Sequence, residues 1–436
     1  MTKKKLNKDK PKKLNLAIIG SGISGLTSAM LLSKKHNITL YESNSYLGGH
    51  ALTIDEWVFK GRKRQKIPFD VGFLVYNKKN YPLFSKLLNI LKVKSFESSM
   101  SFSVSNQSNN FEYGSTGFLA ATNSLKNIFN PKFWILLKEI KRFYRVANQY
   151  LESDFDKIEL SVNQFLEKNN FNSIFIYEHL LPMCGAIWSI PFNKVLNMPL
   201  YSTLIFFRNH GLLSFFGKPK WKTIIGGSKN YVKAISQKIN GDICKNEKVI
   251  KVVRNLNKVF VHSKNTIREY DKVIFATHAD DTLKIIANPT NEEKEFLSNF
   301  KYESNYIHVH QDQNFMPKNK KIWSSWNVLT QSKLKLNGNI CVTYWINKLQ
   351  NIYSDKPILV TLNANKSNAP NIKNVLKEFI FRHPILNNQN IDASIKIKDI
   401  QGKMNTYFVG AWLGYGFHED GVKSAVDMAK SFNIRL

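Results

Sequence analysis

Cysteine is scarce in this chain. Its three residues, Cys184, Cys244 and Cys341, form no CxxC pair and no even-numbered framework. That excludes a disulfide scaffold and points to a reducing, cytoplasmic compartment. Acidic residues are few as well, 32 against 63 basic ones, for a formal net charge of +31. A clean apolar run of spanning length is missing. The nearest candidate, residues 14–32 behind the basic stretch 3–13, is punctuated by Gly20, Gly22 and Gly25 and ends at Lys34-Lys35, so it is neither a signal peptide nor a membrane anchor. There is no internal repeat with a period of 20–50 residues. His308 and His310 share one face of a strand, but no further ligands follow at suitable spacing, so no metal is expected. No activating base stands near Cys184, which reads as an inert thiol. No nucleic-acid-binding module accompanies the charge, so no nucleic acid partner is expected.

What is present is a long, aromatic, basic chain. Its 436 residues, 43% hydrophobic with 30 Phe and 17 Tyr, suffice for two or more folded domains. Residues 3–13 hold seven Lys against one Asp, and residues 1–13 read as a basic disordered tail. The remaining +25 is spread over the folded part and favours a polyanion, with the anionic inner face of a membrane as a peripheral docking surface. A Lys- and Asn-rich coding bias accounts for the same excess without a partner.

Residues 14–19 (LNLAII) read as a buried strand, 23–34 as a helix and 37–42 (NITLYE) as a second strand. This is the first βαβ unit of a doubly wound sheet. Helices are expected at 81–91, 118–128, 131–150 and 162–180, and strands at 248–254, 258–262, 271–276, 305–311, 340–346 and 406–411, with a last helix at 421–432. The fold class is therefore α/β (α+β overall): a Rossmann-like domain from 14–78, 222–285 and 400–436, with an inserted substrate domain of mixed sheet and helices from 79–221 and 286–399.

Gly20-Ser21-Gly22-Ile23-Ser24-Gly25 matches G-x-G-x-x-G between a strand and a helix. The glycines allow a tight turn, close approach of a pyrophosphate and close helix–strand packing, and the helix N-terminus favours the negative charge. Glu42, at the end of the second strand, is placed to accept hydrogen bonds from an adenosine ribose. No second such unit occurs, so a separate NAD(P)H domain is not expected.

The continuation Ser43-Asn44-Ser45-Tyr46-Leu47-Gly48-Gly49-His50 resembles the signature of the flavin amine oxidase and phytoene desaturase superfamily, in which a second glycine pair touches the pyrophosphate. The family usually has Arg after the glycines where this chain has His50, a weaker anion partner. Asp70-Val71-Gly72-Phe73 resembles the stretch passing the flavin ring, and Gly226-Gly227-Ser228 the glycines before a helix returning to the FAD domain. Val249 stands where a valine backbone reads adenine. Phe408-Val409-Gly410-Ala411 and Asp420-Gly421-Val422 are similar to the last flavin-binding strand and helix. The resemblance thus implies FAD as cofactor.

Longer strings, DVGFLVYN (70–77), MSFSV (100–104), LLPMCGAIWS (180–189), FFRNHGLL (206–213), VTYWINKLQ (342–350) and GYGFHEDG (414–421), resemble a narrower group of bacterial NAD/FAD-binding oxidoreductases. The same domain is fused to cyclopropane fatty acid synthases in some plants. That resemblance implies a fatty acyl or lipid substrate and a fatty-acid methyltransferase as partner.

Phe133, Trp134, Phe175, Trp188, Phe206 and Phe207 are suitable walls for an acyl chain or ordinary core residues. His418 is a candidate for proton exchange with substrate, with Glu419 orienting it and Tyr415 beside them; alternatively these residues belong to a helix start capped by Asp420. Arg208 and His210 form a second polar cluster, Arg208 holding a substrate carboxylate or pairing with an internal acid. Helix 131–150 suits either docking on a bilayer or a bundle. The leading function is an FAD-dependent oxidoreductase acting on an unsaturated or methyl-branched acyl chain by desaturation, saturation or double-bond isomerisation. A flavin-dependent amine oxidase and a non-catalytic FAD-bound partner of a methyltransferase are the alternatives.

Overall fold

The computed structural model describes residues 13–115, 127–153, 160–188, 190–215, 217–330, 341–364 and 369–436. Most of the basic tail, most of the helix expected at 118–128, and Ser189 lie outside them. The chain divides into two compact units. The first holds the chain up to Gly49, Val232–Ser298 and Ser394–Leu436; the second holds His50–Tyr231 and Asn299–Ala393.

The first unit is built on β1 (Asn15–Ile19), α1 (Ile23–Leu32) and β2 (Asn37–Tyr41). Both strands are buried after their first residue, with no in/out alternation, as expected where both faces of a parallel sheet are covered. The sheet is parallel throughout, in the order Gly241–Cys244, β2, β1, Lys272–Phe275, Thr406–Phe408. All ten residues of α1 are buried, and it packs against the last helix, His418–Lys430. A three-stranded antiparallel ribbon, Val249–Arg254, Val259–Ser263 and Ile267–Tyr270, completes the unit's strands.

The second unit carries a seven-stranded mixed sheet in the order Val375–Pro384, Tyr302–His310, Leu359–Leu362, Cys341–Trp345, Trp326–Thr330, Phe102–Asn106, Phe111–Gly114. Pairing is antiparallel except between Trp326–Thr330 and Phe102–Asn106. One face is apolar, with Val104, Val328, Val342, Tyr344, Val360 and Leu362 buried. Helix Leu181–Trp188 packs against strand Trp326–Thr330, and the Tyr344 hydroxyl reaches the Ala186 carbonyl at 3.5 Å. The opposite face holds a satisfied polar ladder: Ser103 to Asn327 at 2.7 Å, Thr343 to Thr361 at 2.8 Å, and His310 to Thr361 at 2.6 Å. A hairpin of β3 (Thr53–Lys60) and β4 (Lys63–Asp70) stands beside this sheet's own topology, not within it.

Several expectations are corrected. Residues 50–78 and 222–231 group with the second unit, because the β3–β4 hairpin and the turn at Gly227-Ser228 are bound to each other through Asp70. Residues 286–298 and 394–399 group with the first. The single helix expected over 162–180 breaks at Asn170, which adopts φ 48. Asn172 caps a new start, and a π-helical turn, Ile176–Leu180, leads into Leu181–Trp188. The last strand ends at Phe408 rather than 411, since the Gly410 amide donates to Ser424 Oγ and leaves the ladder. The last helix starts at His418, three residues earlier than expected.

Helix Pro131–Glu152 buries Phe133, Leu136, Ile140, Phe143 and Ala147. Phe143 lies against Phe165, Phe171, Phe175 and Phe207, so the apolar face is spent on a bundle. Among the described residues no helix is long and apolar enough to cross a membrane.

Candidate active site

The glycine turn is held by contacts that explain its sequence. The Gly20 amide donates to the Tyr41 carbonyl at 2.9 Å. A Cβ on Gly25 would sit 1.9 Å from the Gly20 carbonyl oxygen, so α1 can start this close to β1 only without one. Ser21, buried, gives its amide and hydroxyl to Glu42 Oε2 at 3.1 and 2.5 Å. The other oxygen, Oε1, accepts from the Asn44 amide and side chain at 2.8 and 2.9 Å, and from Ser43 Oγ at 3.2 Å. Glu42 thereby ties the turn to the end of β2. A ribose hydroxyl would enter by replacing one of these donors, of which Ser43 is the longest.

The second glycine pair lies directly against the first motif. The Gly48 amide donates to the Ser21 carbonyl at 3.0 Å, and Gly22 and Gly48 form a parallel bridge. A Cβ on Gly49 would meet the Gly22 Cα at 3.3 Å. Val249 is brought to the same end of the sheet. The Glu247 amide donates to the Glu42 carbonyl at 2.8 Å, and the Asn246 amide to the Asn44 carbonyl at 3.0 Å.

The last helix converges on the start of α1. A Cβ on Gly421 would come within 2.7 Å of the Ile23 side chain and 2.8 Å of Ser24 Oγ, and Val422 is fully buried. Two helix N-termini thus meet, and both favour negative charge. Asp420 is not the N-cap expected. It stands inside the first turn, with its carboxylate reaching back to the amides of Phe417 at 2.9 Å and Tyr415 at 3.1 Å. Burial pushes this carboxyl up to about 6 against those two hydrogen bonds. His418 is the first helical residue, and burial pushes its imidazole down to about 3. At neutral pH the ring is uncharged, suited to hydrogen bonding and not to acting as a cationic acid. Glu419 follows it in the first turn.

The expected FAD can be tested against this geometry. The first turn of α1 is buried, yet no side chain caps it. In front of Gly22 nothing lies within 4 Å of where a Cβ would project. A buried, uncapped helix start next to an open approach requires an external acceptor, and a diphosphate supplies it. The residues fit the dinucleotide.

In the second unit, Asp70 is a pin. Its carboxylate accepts the Ser228 amide at 2.7 and 3.0 Å and the Thr53 hydroxyl at 2.5 Å. Burial pushes it up to about 6. The Gly72–Phe73 backbone lies on His50: the Phe73 amide donates to the His50 carbonyl at 3.0 Å, and a Cβ on Gly72 would come 2.2 Å from that oxygen. The His50 ring packs beside Phe381 and His383, at 4.7 and 5.3 Å between centroids.

The other expected residues are dispersed. Trp188 is buried against Phe206 and Phe207, and its indole N–H has no hydrogen-bond partner among the described residues. Trp134 is half exposed, with its indole on the Ile128 carbonyl, and so is no tunnel wall. Arg208 is exposed in the last turn of its helix, and among the described residues it pairs with no acid. His210 stacks on Phe206 at 3.8 Å with Nδ1 on the Phe206 carbonyl, and burial lowers it to about 4. His310 has both ring nitrogens hydrogen bonded, and burial pushes the Cys184 thiol well up.

The sequence did not single out Glu178 and His179 on the π-helical turn. Glu178 Oε1 accepts from Asn106 and Asn109 at 2.9 and 3.1 Å, while Oε2 is buried without a partner among the described residues. His179 Nδ1 pairs with the Tyr113 hydroxyl at 2.8 Å, and its Nε2 is buried and unpartnered. A π turn, a frequent mark of functional sites, was the only signal, and it is invisible in the sequence.

Known structures share this architecture. A CLA-producing fatty acid isomerase from P. acnes superposes with a TM-score of 0.66 at 13% identity, over 96% of this chain and 98% of that one. Putrescine oxidase bound to putrescine gives 0.65 at 12% identity, over 97% and 99%. Cyclohexylamine oxidase from Brevibacterium oxydans IH-35A gives 0.63 at 14% identity, over 97% and 100%. At such identities the likeness is one of fold. No curated protein matches by sequence. The family model for flavin containing amine oxidoreductases matches residues 23–362. Most of the chain therefore carries that family's pattern around a nucleotide-binding first unit, and the protein belongs to the flavin containing amine oxidoreductases, as an FAD-dependent oxidoreductase.

Proposed function

We propose that the protein acts on an unsaturated or methyl-branched fatty acyl chain, changing the presence or position of a carbon–carbon double bond. The observation that carries this reading is the lining of the second unit. The apolar sheet face and the helix packed on it present Tyr344, Trp326 and Trp188, and the indole N–H groups of Trp188 and Trp326 are buried without partners among the described residues. Orphaned donors in apolar surroundings suit a ligand that is a long hydrocarbon with an acceptor group, such as a carboxylate or ester. The formal charge of +31 favours an acidic substrate over a cationic one.

When bound, the flavin supplies a two-electron hydride acceptor and donor at N5. The chain's own part is to hold the diphosphate at α1, to place the start of the last helix where negative charge develops, and to keep His418 neutral in a dry setting. Desaturation delivers one hydride and one proton out of the substrate, whereas isomerisation returns both at different carbons. With no second nucleotide motif in the sequence, reoxidation falls to oxygen, a quinone or a carrier protein, or is dispensed with in a redox-neutral cycle.

Anaerobic incubation of the holoprotein with unsaturated fatty acids, followed by chromatographic location of double bonds, tests the proposal. A shifted or lost double bond, or bleaching of the flavin, is expected, and Trp188→Phe should raise KM roughly tenfold through loss of a hydrogen bond. Absence of any change over a panel of free acids and phospholipids would overturn it. Bleaching also argues against a non-catalytic partner of a methyltransferase. One observation favours an amine oxidase instead: the unpartnered Glu178 Oε2 is an acceptor fit for an ammonium group. Oxygen uptake with an amine panel, abolished in Glu178→Gln, would establish that reading.

A further inference from the structure

The β3–β4 hairpin combines features that nothing in the flavin chemistry uses. Its turn and flanking residues, 60–66, read K-G-R-K-R-Q-K, five basic and no acidic residues. All seven are exposed. The cross-strand register pairs Trp57 with Lys66 and Phe59 with Arg64, so these four share the outward face. Trp57 and Phe59 are 49% and 59% exposed there, and Tyr353, beside the tip, is 65% exposed. Nearby acids already have partners: Asp55 pairs with Lys229 at 2.5 Å and Glu56 with Lys377 at 3.8 Å, while Asp355 accepts the Gly61 amide of the tip at 2.9 Å. Aromatic side chains of this size are mostly buried in folded proteins, and a dense positive charge repels a second copy of itself.

We propose that this hairpin docks the protein on an anionic lipid bilayer, its basic tip on the headgroups and Trp57, Phe59 and Tyr353 at the level of the interface. Lys and Arg beside amphipathic rings are the pairing such a surface selects. Nucleic acid is the less suited polyanion. Stacking needs open ring faces, and the Arg64 guanidinium lies over Trp57 at 5.4 Å and the Lys60 ammonium over Tyr353 at 5.2 Å. The long helix Pro131–Glu152 is not the docking element, because its apolar face is core. Asp355 steadies the tip, since its amide also donates to the Phe59 carbonyl at 2.9 Å. Binding to vesicles requires neither turnover nor a particular substrate, so failure here and failure of the acyl-chain proposal are separate results.

The test is cosedimentation of the FAD-loaded protein with vesicles of phosphatidylcholine alone or mixed with phosphatidylglycerol. Binding to the anionic vesicles, lost at high salt, is expected. The triple variant Arg62→Glu, Lys63→Glu, Arg64→Glu should weaken it at least about tenfold. Trp57→Ser with Phe59→Ser should also weaken it, whereas Lys138→Glu, Lys141→Glu, Arg145→Glu on the exposed face of the long helix should change it no more than about twofold. Equal losses from the hairpin and helix variants would overturn the proposal, as would unchanged binding of the aromatic variant. Tighter binding to single-stranded DNA than to anionic vesicles, lost in the hairpin variants, would overturn it in favour of nucleic acid. Should the triple variant fold poorly, the wild type still decides: brominated acyl chains should quench tryptophan fluorescence, and Trp57→Phe should remove that quenching. No quenching in the wild type would overturn interfacial insertion.

Discussion

At the residue scale, the site rests on atoms that have no room to move. Gly25 is the clearest case, because a single methyl group would occupy the position of the Gly20 carbonyl oxygen, 1.9 Å away. Gly25→Ala must push α1 off β1, at a cost of about 1–3 kcal/mol and with loss of the diphosphate cradle. The expected result is a protein purified with little or no flavin absorbance and a lowered melting point; full flavin content would refute the placement. Two buried carboxyls make a different prediction. Asp70 and Asp420 are both raised to about 6 from 3.8, chiefly by burial. Between those values the folded chain retains protons that the unfolded chain has released, so their contribution to stability is greatest below about pH 4, declines as the pH rises to about 6, and is level above. The change is on the order of 3 kcal/mol for each group. Melting points of Asp70→Asn and Asp420→Asn across pH 4–8 should each vary less than those of the wild type, and an unchanged profile would show that the carboxyls are ordinary.

Elements of the first unit are stitched together by one buried ion pair. Arg254, ending its strand, offers both terminal nitrogens to Glu293 at 2.5 and 2.8 Å, and reaches Thr406 Oγ at 3.0 Å and the Asn288 carbonyl at 3.1 Å. It joins the antiparallel ribbon, helix Asn291–Ser298 and the last strand. Glu293→Ala should leave a buried guanidinium uncompensated, at about 3–5 kcal/mol, whereas Arg254→Met with Glu293→Leu should recover much of that loss. Chemical denaturation of the single and double variants separates the two outcomes. No sequence pattern announced this pair, and the contrast explains what was legible. β1, α1 and β2 were visible because their determinants are local: a buried run, a glycine turn and an acid at fixed spacing. Glu42 and the Gly48-Gly49 pair were visible for the same reason. The seven-stranded sheet was not, because its edge strand Val375–Pro384 pairs with Tyr302–His310 far along the chain, and alternation alone does not name a partner. Asp70 and Ser228 lie 158 residues apart, and only folding makes one the acceptor of the other. The last helix starts earlier than its sequence suggests for a simpler reason. Asp420 looks like a cap in sequence, and it does cap, but from inside the turn.

At the scale of the whole molecule, the charge of +31 and the nucleotide cradle act on different observables, salt dependence of surface binding and stability linked to ligand. The cradle draws on all three chain segments of the first unit: Gly20–Gly25 with Glu42 and Gly48-Gly49, the run to Val249, and the last helix at Gly421. A ligand that engages all three should stabilise the unit as one cooperative body. For protein stripped of flavin, free FAD at a hundred times its Kd should add about 2.7 kcal/mol of stability. Flavin mononucleotide lacks the adenosine that we propose Glu42 and the Val249 backbone hold, and at equal concentration it should raise the melting point far less. Glu42→Ala should shrink the difference between the two ligands by weakening FAD alone. Equal stabilisation by both flavins in the wild type would mean that the glycine turn and Glu42 do not bind the adenosine half. The cradle would then serve only to hold β1, α1 and β2 together.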